Sequence, residues 1–113
     1  MVQSAAVDEV FHALSSPTRR KVLERLSGGP ATVSELAAPF DMQLPSFVQH
    51  LSVLERSRLV RSTKRGRVRT YEVAPERFKL MDDWLAARRQ EWEQRLDRFD
   101  HYVKQLKQKE SAS

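Results

Sequence analysis

Two groups of residues have types and spacing suited to recognising another molecule. The first lies in the stretch MQLPSFVQHL (42–51) and its continuation to Arg56. On a helical wheel Phe47, Leu51 and Leu54 share one side, with Leu44 at its margin. Pro45, Ser46, Gln49, Ser52 and Arg56 fall on the other, flanked by Leu44 and Val48. The Gln49 amide offers a donor and an acceptor in the fork that pairs bidentately with adenine, while Leu44, Pro45 and Val48 offer apolar contact to thymine methyls. Such a helix reads bases only if the Phe47 side is held by a core. The second group is basic: Arg61, Lys64, Arg65, Arg67 and Arg69 fall within nine positions. On facing strands joined by a tight tip, most of them point outward, where phosphates neutralise them. A charged run of this kind is otherwise a solvated hairpin. Its place immediately after the first group favours phosphate contact.

Other chemistries are poorly served. The chain has no cysteine, which excludes disulfides, thiolate metal sites and cysteine nucleophiles. Asp97, Asp100 and His101 lie close together, but no second histidine follows on that segment, and a surface histidine among salt-bridging carboxylates is the expectation. His12 falls off its helix's apolar stripe and reads as a surface or interface residue. No glycine-rich phosphate loop or nucleophile elbow occurs, and Asp82 and Asp83 complement a helix N-terminus. No enzyme, metal or cofactor is expected. The start MVQSAAVDEVF lacks the basic and apolar regions of a signal peptide, and no run approaches the roughly 20 apolar residues that cross a bilayer. These point to a cytoplasmic protein without a membrane segment. A net charge of +5 and a pI near 10.0 favour a polyanionic partner.

The elements that must position these groups are legible from periodicity and caps. Val7, Val10, Phe11 and Leu14 form a helical stripe. Ser16 suits an N-cap and Pro17 the first helical position of a second helix, carrying Val22, Leu23 and Leu26 and stopped by Gly28-Gly29-Pro30. Thr32 and Glu35 have capping-box spacing, and Pro39 keeps that third helix short. Phe40 and Asp41 turn the chain into the fourth helix, about Leu44 to Arg56. Residues 59–63 and 69–73 then alternate as two strands around a basic tip, 64–68. From Pro75 to about Lys107, Phe78, Leu85, Trp92, Phe99 and Leu106 recur every seven residues, with Met81, Trp84, Leu96, Tyr102 and Val103 beside them. About 30 helical residues span roughly 45 Å, and so long an aromatic stripe needs a partner surface.

The predicted fold is mostly α with a small β-hairpin: a winged helix-turn-helix at 1–75, a long C-terminal dimerisation helix at 76–108 and a polar tail at 109–113. In a helix-turn-helix the second helix enters the major groove while the first crosses the backbone. Gln43, Leu44, Pro45, Ser46, Val48, Gln49 and Ser52 are therefore the candidate DNA-contacting residues of the helix. Lys64, Arg65, Arg67 and Arg69 are the phosphate-contacting candidates of the wing. Phe11, Trp84, Leu85, Trp92, Leu96 and Phe99 are the candidates for a dimer interface.

Three stretches, in this order, resemble the ArsR/SmtB-type winged-helix repressors: LSSPTRRKVLERL (14–26), TVSELAAPFDMQLPSFVQHLSVLERSRLV (32–60) and KRGRVRTYEV (64–73). The resemblance implies a homodimer, built with the first and last helices, that binds double-stranded operator DNA and represses its own or a neighbouring operon until a signal relieves it. This chain departs from the family pattern in four places. Ala37 and Ala38 stand on the third helix, where metal sensors carry cysteine. The acidic and histidine set of the last helix is incomplete. Arg58 occupies a position often held by glycine, where a left-handed backbone would cost arginine about 1 kcal/mol. Val48 stands where serine is common. An organic ligand, a partner protein or no effector at all remain open as the signal. A protein-interaction module and a non-specific architectural DNA-binding protein are the alternatives on the same scaffold.

Overall fold

The computed structural model describes the backbone of residues 2–112 and the side chains of residues 5–112. Met1 and Ser113, the outer ends of the expected first domain and tail, lie outside the described residues. The elements in chain order are α1 (Val2–Leu14), α2 (Pro17–Leu26), β1 (Ala31–Thr32), α3 (Val33–Ala37), α4 (Leu44–Arg56), β2 (Val60–Arg65), β3 (Val68–Val73) and α5 (Pro75–Ala112). They form two compact units, Met1–Met81 and Asp82–Ser113.

In the first unit, Ser16 caps α2 as its spacing predicts: its hydroxyl accepts from the Arg19 amide at 3.3 Å, with Pro17 at the first turn. Val22, Leu23 and Leu26 are buried from α2, Leu36 from α3, and Phe47, Leu51 and Leu54 from α4. The Phe40 ring packs on Phe47 with centroids 5.3 Å apart, so the turn before α4 is pinned to the same core. The buried stripe of α1 is Ala6, Val7, Val10 and Ala13. Leu14 is half-buried and Phe11 is exposed, contrary to their place in the predicted stripe. Alanine at positions 6 and 13 lets the helix approach its neighbours along a narrower face than the larger side chains would mark.

The hairpin belongs to a three-stranded antiparallel sheet in the order β1-β3-β2. β1 carries no signal in the sequence, because two residues are too few to show an alternating pattern. It pairs Ala31 with Tyr71 and Thr32 with Thr70, which ties the start of α3 to the wing. β2 and β3 run further towards each other than predicted, with Arg65 opposite Val68, so the tip is only Gly66 and Arg67. Gly66 has φ 62° and Arg67 has no positive φ, the signature of a type II′ turn, whose twist matches that of the strands.

In the second unit α5 continues through Lys109–Ala112, where a tail was expected. Lysine, glutamine, glutamate and alanine all propagate a helix well, and no glycine or proline stops it. None of the described residues of 82–112 is buried. Leu85, Trp92, Leu96, Phe99, Tyr102 and Leu106 are all between 44% and 65% exposed, so this unit has no core of its own.

Candidate nucleic-acid interface

The candidate interface is built on α4 and the β2–β3 wing. α3 is set by its capping box: the Thr32 amide donates to Glu35 Oε1 at 3.1 Å and the Glu35 amide to Thr32 Oγ1 at 3.2 Å. Hydrogen bonding to the Glu35 carboxyl, first from the Thr32 backbone amide and then from the Thr32 side chain, holds it below its ordinary pKa. The short helix closes with the Phe40 amide on the Ala37 carbonyl at 3.0 Å, and the chain turns into α4. Gln43 occupies the N-cap of α4 without a side-chain cap bond.

All seven predicted positions (Gln43, Leu44, Pro45, Ser46, Val48, Gln49 and Ser52) are exposed: Gln43 at the N-cap, Leu44 and Val48 on the flanks of α4, and Pro45, Ser46, Gln49 and Ser52 away from the fully buried Phe47, Leu51 and Leu54. α4 carries no Asp, Glu, Lys or Arg before Glu55. One face is therefore committed to the core, and the other offers amides, hydroxyls and apolar groups to a partner.

Two side-chain networks missing from the sequence reading hold α4 in place. Arg19, only 8% exposed, donates from Nε to the Ala13 carbonyl at 2.7 Å and from Nη2 to the His12 carbonyl at 3.1 Å. Its Nη1 lies 2.9 Å from His50 Nδ1. Because a guanidinium has only donors, Nδ1 accepts, and His50 is a neutral ring with its proton on Nε2. Burial, and then the Arg19 charge, hold the His50 pKa below its usual 6.5. One arginine of α2 thus satisfies the open carbonyl end of α1 and ties it to α4. At the other end, Ser62 Oγ donates to Glu55 Oε2 at 2.8 Å and accepts from Arg69 Nη1 at 2.7 Å, linking α4 to both strands of the wing. Burial, and then the nearby Glu55 charge, raise the pKa of Tyr71 in the same region. A charged residue in PTRR reads from sequence as solvent-facing; only packing reveals Arg19 as a buried tie.

The connection from α4 to β2 is a Schellman motif. The Arg58 amide bonds the Glu55 carbonyl at 3.0 Å and the Leu59 amide bonds the Leu54 carbonyl at 3.1 Å. Arg58 carries the left-handed φ of 63° that the motif demands. It is the non-glycine residue with positive φ among those described, at the position where the resemblance led us to expect glycine.

The wing sorts its basic residues by partner. Arg61 is held by Glu72 at 2.9 Å and by Glu76 at 3.7 Å, so its charge is already met, and Glu72 raises its pKa. Among the described residues, the Lys64, Arg65 and Arg67 side chains make no hydrogen bond or ion pair, while the Arg69 side chain bonds Ser62 and acts electrostatically on Tyr71. Lys64 and Arg69 are directly opposite across the strands, an arrangement of like charges that is unfavourable without a counter-anion.

Comparison with known proteins places this arrangement. A helix-turn-helix domain model matches residues 14–63. The transcriptional repressor SdpR of Bacillus subtilis (strain 168) is 34% identical over 79 residues, 70% of this chain and 88% of SdpR. The crystal structure of the ArsR family transcriptional regulator RHA00566 superposes with a TM-score of 0.78 at 52% identity, covering 80% of this chain and 93% of that one. The chain belongs to the ArsR family of transcriptional regulators. A further relative, the homodimeric winged helix-turn-helix DNA-binding domain Mb0332 from Mycobacterium bovis, superposes with a TM-score of 0.60 at 25% identity over 74% of this chain and 79% of that one.

As an ArsR-family chain it is a regulator rather than an enzyme. Among its described residues no group of three or more His, Asp or Glu side chains is placed to hold a metal ion. Asp100 pairs with Lys104 at 3.2 Å and His101 Nε2 lies 3.2 Å from Gln105 Nε2, both exposed contacts within α5. No described helix is long and apolar enough to cross a membrane.

Proposed function

We propose that this ArsR-family chain is a homodimeric, sequence-specific repressor that acts in the cytoplasm on operator DNA of its own or a neighbouring operon. α4 lies in the major groove, with Gln43, Leu44, Pro45, Ser46, Val48, Gln49 and Ser52 towards the DNA. Lys64, Arg65, Arg67 and Arg69 contact the flanking phosphates. The observation that carries this reading is the combination of an outward face of α4 left open by its own core with a wing whose tip cations have no carboxylate partner. The Glu55–Ser62–Arg69 chain supports it further, because it fixes the aim of the wing relative to that helix.

Dimerisation is supported by α5, whose heptad positions Leu85, Trp92 and Phe99, with Leu96, stay largely exposed on a unit lacking buried residues. Knobs from a second copy would bury such a seam. Arg95 stacked 5.5 Å from the Trp92 ring leaves the ring's other side to a partner. Phe11, 44% exposed on α1, and Trp84 on α5 are further candidates for contact with a second copy. Two recognition helices related by a two-fold axis address half-sites about 34 Å apart. Fluorescence anisotropy with the DNA upstream of the chain's own gene tests the proposal, with scrambled DNA as control. Tighter binding to the upstream DNA, with a dimer in light scattering, is expected. Equal affinity for both duplexes would refute a specific repressor.

A further inference from the structure

The shoulder of α4 is an unusual surface to offer a polyanion. Leu44 at 55% and Val48 at 38% exposure stand one turn apart on it. Glu55, the first charged residue of the helix, is turned to Ser62 of the wing rather than to solvent. The core beneath α4 is already filled by Phe47, Leu51 and Leu54, each at 0% exposure, so neither shoulder residue has a place inside the chain. Burying them requires a second surface. Along the edges of base pairs in the major groove, the apolar group on offer is the C5-methyl of thymine. Beside Val48 stands Gln49, exposed and with no hydrogen bond among the described residues, whose amide fits the N6 and N7 edge of adenine. Four helical residues rise about 6 Å, close to two base-pair steps of about 3.4 Å. Leu44 and Val48 therefore address different base pairs.

Resting on the major-groove placement proposed above, we infer that Leu44 and Val48 read pyrimidine C5-methyl groups at two positions of each half-site, with Gln49 on a neighbouring adenine. The methyl group itself carries the selectivity. At those positions uracil is a poor substitute for thymine, and 5-methylcytosine is better than cytosine.

The experiment begins with selection of duplexes from a random library by the purified full chain. The winning duplex is then compared by anisotropy with versions carrying deoxyuridine, cytosine or 5-methylcytosine at the thymines under α4. Loss of each methyl is expected to weaken binding about fourfold, the equivalent of one buried methyl group, and 5-methylcytosine to outbind cytosine by a similar factor. Leu44→Ala and Val48→Ala, both at exposed sites, are expected to keep the native circular dichroism and to bring the thymine-to-uracil ratio towards one. Equal affinity of the unmodified chain for thymine and uracil duplexes, or ratios indifferent to both substitutions, would overturn the methyl readout and leave DNA binding standing. Failure of the selection to enrich any sequence would overturn the base-reading role of α4 itself.

Discussion

Arg58 is a residue in a place built for glycine, and replacing it isolates one backbone term. Its φ of 63° lies in the left-handed region, where the Cβ of an L-residue crowds the following carbonyl at a cost of about 1–2 kcal/mol. The two bonds of the Schellman motif, 3.0 and 3.1 Å, hold it there, and Leu54 and Leu59 on either side are fully buried, so it cannot relax without uncovering them. The Arg58 side chain is exposed and makes no hydrogen bond or ion pair among the described residues. Arg58→Gly therefore removes the strain and loses nothing in the folded state, while the freer glycine lowers the unfolded chain's free energy by about 0.4–1 kcal/mol. The net expectation is a gain of about 0.5–1 kcal/mol, seen as a higher midpoint in urea with an unchanged slope. Arg58→Ala is the control, since it deletes the same charge and leaves the φ problem. It is expected to give no gain. If Arg58→Ala stabilises as much as Arg58→Gly, charge and not backbone was the cause; if Arg58→Gly is destabilising, the strain argument is wrong.

Four further outcomes are expected. Arg19→Met, which strips the His12 and Ala13 carbonyls and His50 of their buried donor, should cost about 2–4 kcal/mol in urea unfolding; a loss within error would mean the tie is dispensable. Because the folded pKa of His50 lies below 6.5, the unfolded chain binds its proton first. Stability should hold above that value and fall as pH drops through it towards the folded pKa. His50→Asn should flatten this part of the pH–stability curve, and an unaltered curve would assign the dependence to other groups. Replacing both Arg65 and Arg67 by alanine should lower the salt slope of DNA binding by about one unit for each lost phosphate contact, while Arg61→Ala, whose charge is met by Glu72, should leave it unchanged. Trp92→Glu should yield a monomer in sedimentation velocity with weakened operator binding; a dimer of wild-type affinity would move the interface elsewhere.

How much of this was legible before folding follows from the range of the interactions. The caps at Ser16 and Thr32, the stops at Gly28-Gly29-Pro30 and Pro39, the inward set Phe47, Leu51 and Leu54, and the heptads of α5 depend on residues within one or two turns, and sequence spacing reports them directly. The demand for a left-handed residue at position 58 was legible through resemblance alone. Tertiary structure decided the matters that need two distant segments to meet. β1 exists because Tyr71 and Thr70 offer it an edge, and it is too short to announce itself. The tip shrinks to Gly66 and Arg67 because pairing continues until a residue that accepts positive φ appears. Phe11 belongs outside because alanines 6 and 13 already fill the contact of α1. The sharpest case is charge. In sequence Arg19 and Arg61 are indistinguishable from Lys64, Arg65 and Arg67. A guanidinium is bound or left free by whatever the fold brings within about 3–4 Å of it, and that contact joins residue 19 to a neutral ring at 50 in one case and residue 61 to a carboxylate at 72 in the other.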